Sequence, residues 1–169
     1  IKGIIWMTDG YATQITDNKE IMDGHINGVA GKQNYMLIEN NTMMNYNIHF
    51  NGLSSFAFVG NKITNGRITG YYNSGVLKDN AITFDAPETQ VYAYNIHSDA
   101  EYGDYIYHIC SVNNTTKNTF KSEVHFNKDG ITGNNPNRRL YTSQEVAESY
   151  IQAVRDWDFN NIPIFPPHR

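Results

Sequence analysis

Residues 91–110 read VYAYNIHSDAEYGDYIYHIC. Tyr92, Tyr94 and Ile96 alternate with Ala93, Asn95 and His97, and a second apolar run follows from Tyr105 to Cys110. Side chains two apart share one side of a pleated strand, so each run predicts a strand with one buried face. A hairpin turning at Tyr102-Gly103 sets His97 opposite His108. Tyr94, Ile96, Tyr107 and Ile109 then share the core face, and Asn95, His97, His108 and Cys110 share the other. A slip of one residue would flip every side chain, so this register is one of several.

The rest of the chain reads the same way. Tyr46, Ile48 and Phe50 alternate with Asn47 and His49; Phe56 and Phe58, and Ile82 and Phe84, sit two apart; Phe120 to Phe126 alternates with Lys121, Glu123 and His125. Asp9-Gly10, Asp23-Gly24, Asn27-Gly28, Asn51-Gly52, Asn65-Gly66, Ser74-Gly75 and Asp129-Gly130 punctuate these runs. Asn, Asp and Gly tolerate left-handed backbone and favour tight hairpin turns. The pattern predicts an all-β, mainly antiparallel domain of about eight to ten short strands, a compact barrel or a sandwich. A parallel sheet would need crossover helices, for which there is no room before residue 140.

Tyr46-Asn47-Ile48-His49 and Tyr94-Asn95-Ile96-His97 spell the same four letters. Their flanks do not match at that spacing, so the tetrapeptide does not mark a duplication. Near the C-terminus, Thr142 and Glu145 fit a capping box, Tyr141 and Val146 a hydrophobic staple, and Val146, Tyr150, Val154 and Trp157 one helical face. This predicts strands over 1–130, a loop over 131–141, a helix over 142–158 closing one end of the β-structure, and an extended apolar tail over 159–169, in one domain. A second, short helix is conceivable around Asn18 to Met22.

Composition narrows the function. The 169 residues carry a net charge of -4, with 18% charged and 40% hydrophobic residues. Mean hydropathy is -0.55 and the pI about 5.8. Polarity therefore comes mostly from uncharged groups. The only basic cluster is Arg138-Arg139, which argues against nucleic acid. No apolar run is long enough for a membrane helix. One cysteine, Cys110, allows no internal disulfide. Low charge with much Asn, Tyr and Gly suggests an exported, bacterial or phage-like protein, periplasmic, secreted or on a surface, with any signal or anchor outside this chain.

Three readings of the histidines compete: solvent-facing strand residues without a task, a pH-sensitive pair of His97 and His108, or a metal site from His97, His108 and Cys110 with Asp99 or Asp104. The third lacks compact ligand spacing, so no metal or cofactor is expected. His49 and His125 join such a cluster only if their strands are adjacent. Cys110 beside a histidine is a conceivable nucleophile but more simply a small buried residue. Tyr105 and Tyr107 could line a pocket. Asn40-Asn41-Thr42, Asn113-Asn114-Thr115 and Asn114-Thr115-Thr116 are glycosylation sequons, common by chance in an Asn-rich chain. The function expected is a non-catalytic extracytoplasmic binding, accessory or sensor module, with Asn95, His97, Tyr105, Tyr107, His108 and Cys110 as candidate residues. Its partner would be a small apolar molecule, a glycan or another protein. The alternatives are a structural or adhesive subunit of a pilus or phage tail, which would oligomerise, and a small hydrolase or metal-dependent enzyme.

Overall fold

In the computed structural model every pairing between the described strands is parallel. The structure describes residues 1–7, 12–28, 35–51, 55–71, 75–84, 91–97, 107–118, 120–127 and 138–156. The antiparallel barrel or sandwich is therefore corrected to a parallel β-solenoid. The missing crossover helices are no obstacle, because each strand is carried to its parallel neighbour by the rest of its own coil.

One sheet holds β2 (Ala12–Thr16), β4 (Tyr35–Glu39), β6 (Ser55–Val59), β9 (Gly75–Lys78), β12 (Tyr107–Val112) and β15 (Arg138–Tyr141), stacked in chain order. We call it sheet B. Sheet A is bent into two limbs. Its first limb stacks the start of β3 (Ile21–Gly28) and of β5 (Thr42–Asn51), then β7 (Lys62–Thr64), β10 (Ala81–Phe84) and β13 (Thr115–Asn118). The second stacks β1 (Ile5–Met7), the ends of β3 and β5, β8 (Ile68–Tyr71), β11 (Val91–His97) and β14 (Phe120–Asn127). β15 falls in the stretch that the sequence reads as a loop.

Interior positions stack in columns. Ile15, Ile38, Phe58 and Leu77 line sheet B; Ile21, Met43, Ile63 and Ile82 line the first limb; Ile26, Ile48 and Ile68 line the second. All are buried. No coil can cover its own apolar side, so stacking is what creates the core.

A ladder of asparagines holds the corner between sheet B and the first limb. Asn18, Asn41, Asn61, Asn80 and Asn114 occupy it, separated by 23, 20, 19 and 34 residues. Each is preceded by a residue with positive φ: Asp17, Asn40, Gly60, Asp79 and Asn113. Asn61 is typical. Its Oδ1 accepts from Asn41 N and Nδ2, both at 3.1 Å, and its Nδ2 donates to Ile38 O at 2.8 Å and Asn80 Oδ1 at 3.0 Å. The ladder satisfies polar groups that a buried turn would otherwise orphan. Asn114, one of the sequon asparagines, is a ladder member; the sequon asparagines Asn40 and Asn113 are the left-handed residues that precede ladder members Asn41 and Asn114.

Two of the pairs that read as hairpin turns, Asp23-Gly24 and Asn65-Gly66, have another use, while Asp9-Gly10 and Asp129-Gly130 lie outside the described residues. Asp23 and Asn65 do have positive φ, but they bend the coil from one limb of sheet A to the other without reversing it. Gly66 permits close stacking there, since a Cβ would lie 1.8 Å from Tyr46 O. The residues proposed as a short helix, Asn18 to Met22, form the first ladder corner and the start of β3.

Helix α1 (Gln144–Arg155) lies on the outer face of sheet B, crossing β12, β9, β6 and β4, instead of closing an end. Its N-cap is Ser143, one residue later than the capping box predicts; the Ser143 Oγ accepts from Val146 N at 3.2 Å. Twelve residues make a helix about 18 Å long, close to the roughly 19 Å from β12 to β2 at about 4.8 Å per strand. One helical turn therefore advances about one coil. Ala147, Tyr150, Ile151 and Val154 pack in one cluster with Leu37, Ala57, Val59, Val76, Cys110 and Val112. Glu148 pairs with Lys78 at 3.2 Å, and Arg155 pairs with Glu39 near the far end. No helix among the described residues is long and apolar enough to cross a membrane.

Candidate functional site

The second limb of sheet A turns its other side outward. Tyr46 and Ile48 point into the core, so Asn47 and His49 alternate to the outside of β5; Ile26 is likewise buried between His25 and Asn27. Register brings the outer residues together: His25 is paired with Asn47, and Asn27 with His49. One coil later Arg67 comes alongside Asn47, its backbone N–H donating to the Asn47 Oδ1 at 3.0 Å. That bond fixes the Asn47 amide and leaves its Nδ2 as a donor.

His25, Asn27, Asn47, His49 and Arg67 line an open cleft of about 270 Å³. The described lining offers imidazole, amide and guanidinium groups, and no carboxylate. Arg67 contributes a planar guanidinium with five N–H donors. Partial burial, and secondarily the neighbouring His25, hold the His49 imidazole below its ordinary pKa of 6.5. The acid nearest in sequence, Asp23, is engaged elsewhere, accepting from Asn45 Nδ2 at 3.0 Å and lying 3.4 Å from Lys2 Nζ. Among the described residues no group of three His, Cys, Asp or Glu side chains could hold a metal ion.

The residues singled out from sequence are dispersed. β11 and β12 lie in different sheets and do not pair, so the hairpin that set His97 opposite His108 does not exist. His97 is in register with Tyr71 and Asn127 in sheet A, and His108 with Arg139 in sheet B. Tyr107 is in register with Arg138. Tyr105 and the proposed turn at Tyr102-Gly103, with Asp99 and Asp104, lie outside the described residues. Cys110 is buried beneath α1, where its thiol donates to Ser143 O at 3.4 Å and burial pushes its pKa up to about 11. It belongs to an apolar interface, a setting that suppresses thiolate chemistry.

Asn95 has a different position. It is in register with Thr69 and His125, and Thr69 with His49. A single row across five strands thus reads Asn27, His49, Thr69, Asn95, His125. The two copies of Tyr-Asn-Ile-His fall on this limb two coils apart and offset by two residues, since His49 shares its row with Asn95 and Asn51 shares its row with His97. The four-letter match is not the repeat of the fold.

His25, Asn27, Asn47 and Arg67 were not legible as a site from the alternation alone. The usable signal is a polar-Ile-polar triplet recurring once per coil: His25-Ile26-Asn27, Asn47-Ile48-His49 and Arg67-Ile68-Thr69. The chain matches no family model, no curated protein and no solved structure.

Proposed function

We propose that this chain is a non-catalytic, extracytoplasmic recognition module that binds an extended glycan on the outer face of the second limb of sheet A. The observation that carries the reading is the convergence of five polar side chains from three successive coils on one cleft. Successive coils stack at about 4.8 Å, a spacing that suits a ligand that is itself a polymer of polar units. Amide, imidazole and guanidinium groups suit the hydroxyls and ring oxygens of sugars. The solenoid interior is filled by stacked aliphatic and aromatic side chains, which favours a surface ligand over an apolar molecule held inside.

The test is binding of the intact chain to immobilised oligosaccharides, with Asn47→Ala and Arg67→Ala beside wild type. Specific retention weakened by both variants supports the reading; no retention of any glycan sinks it. A structural or adhesive role in a surface assembly is the second reading. It is favoured by β14, which ends sheet A with no further strand among the described residues and so offers an edge for pairing. Concentration-dependent self-association in sedimentation would select it.

A further inference from the structure

We propose that the glycan is acidic, that its carboxylate or sulfate sits among His25, His49 and Arg67, and that binding it takes up a proton. This rests on the glycan reading and goes further in naming the ligand's charge. The chain as a whole is acidic at -4, yet this cleft gathers three basic side chains, from two adjacent strands and the entry to the next. A neutral sugar would need acceptors as well as donors; a carboxylate or sulfate needs donors, which the cleft supplies in excess. The guanidinium of Arg67 can grip such a group with two parallel hydrogen bonds.

The charged groups around the cleft come from every described element that forms it. β3 contributes His25, with Asp23 two residues earlier bound to Lys2 and Asn45; β5 contributes His49; the entry to β8 contributes Arg67. The described lining of the cleft itself includes no carboxylate. His49 and His25 repel each other when charged, and an anion between them removes the repulsion. The bound ligand therefore favours the imidazolium form. Affinity must rise as pH falls through the pKa of the complex, and level off below that of the free cleft.

The experiment is biolayer interferometry of the full chain on oligogalacturonate, hyaluronan and chondroitin sulfate. Methyl-esterified or desulfated counterparts are run beside them, at about pH 7.5 and about pH 5.5, the range over which histidine titrates. Wild type should prefer at least one charged glycan over its neutralised counterpart by about tenfold or more, the size of one charge-assisted hydrogen bond. Whether uronate or sulfate wins identifies the anion. Binding should tighten at the lower pH. Arg67→Gln should weaken it at both pH values, and His49→Gln should flatten the pH dependence; thermal melts verify that both variants fold. Equal binding of charged and neutralised glycans overturns the inference and leaves glycan recognition standing. Charge preference with no pH dependence in wild type overturns the proton uptake. Absence of binding to every glycan, charged or neutral, overturns both the inference and the reading beneath it.

Discussion

Sheet B and the second limb of sheet A are made by the same coils, yet their outer faces have opposite fates. On sheet B the runs Met36-Leu37-Ile38 and Phe56-Ala57-Phe58-Val59 are buried on both sides, Met36, Ile38, Phe56 and Phe58 against the core and Leu37, Ala57 and Val59 against α1. On the second limb Tyr46 and Ile48 are buried while Asn47 is exposed and His49 half-buried. The same backbone thus carries a continuous apolar pattern where it is covered and an alternating one where it is open. A half packed on both faces holds in register a half whose outer positions are polar.

The sharpest way to break both halves at once is at the corner that joins sheet B to sheet A. Asn61→Ala removes four side-chain hydrogen bonds and leaves buried partners at Asn41, Ile38 and Asn80. We expect a loss of about 3–4 kcal/mol in chemical denaturation, the cost of stranding several buried polar groups. Asn47→Ala, on the open face, should cost under about 1 kcal/mol. Equal effects would mean that the ladder does not bear the solenoid.

The helix-covered face can be tested separately. Ile151 is buried between α1 and sheet B, whereas Met44 is 52% exposed on the first limb. Ile151→Ala should cost about 2–4 kcal/mol and Met44→Ala about 0.5 kcal/mol or less. Cys110 reports the same interface without a large perturbation. With its thiol buried and its pKa raised to about 11, it should react with a disulfide reagent at neutral pH only as fast as α1 lifts from sheet B. Ile151→Ala should then speed labelling of Cys110. Rapid labelling of wild type would show that the helix does not stay docked.

These contrasts also explain how much of the fold the sequence reveals. Alternation located β5 and the start of the open face, because a strand with one wet side carries a period of two whichever way its neighbours run. Strand direction was lost there. The signal for parallel pairing lay in the two-sided runs of β4 and β6, since covered strands read as continuously apolar. It lay also in the recurring dipeptides Asp17-Asn18, Asn40-Asn41, Gly60-Asn61, Asp79-Asn80 and Asn113-Asn114. Their unequal separations conceal a repeat from any comparison at one fixed spacing. The site was hidden for a related reason: His25, Asn47 and Arg67 are more than 40 residues apart end to end, and only the coil length, itself set by the ladder, brings them side by side.

The smallest expected effect is the pH response of the open face, and its sign separates the empty cleft from the occupied one. In the folded chain His49 has a pKa below 6.5, because burial and His25 both disfavour its charged form. The unfolded chain therefore takes the proton first. Stability associated with His49 is complete above about pH 6.5 and is lost as pH falls toward the lowered folded value. Thermal melts between about pH 7.5 and about pH 5 should show a modest decline in wild type that His49→Gln reduces. Cys110, sealed under α1, contributes nothing in this window, so the covered half should be silent. An anionic ligand reverses the preference, since it stabilises the imidazolium form and adds most to the melting temperature at the acid end. A wild type that melts identically to His49→Gln at every pH would remove the electrostatic strain on which that reversal depends.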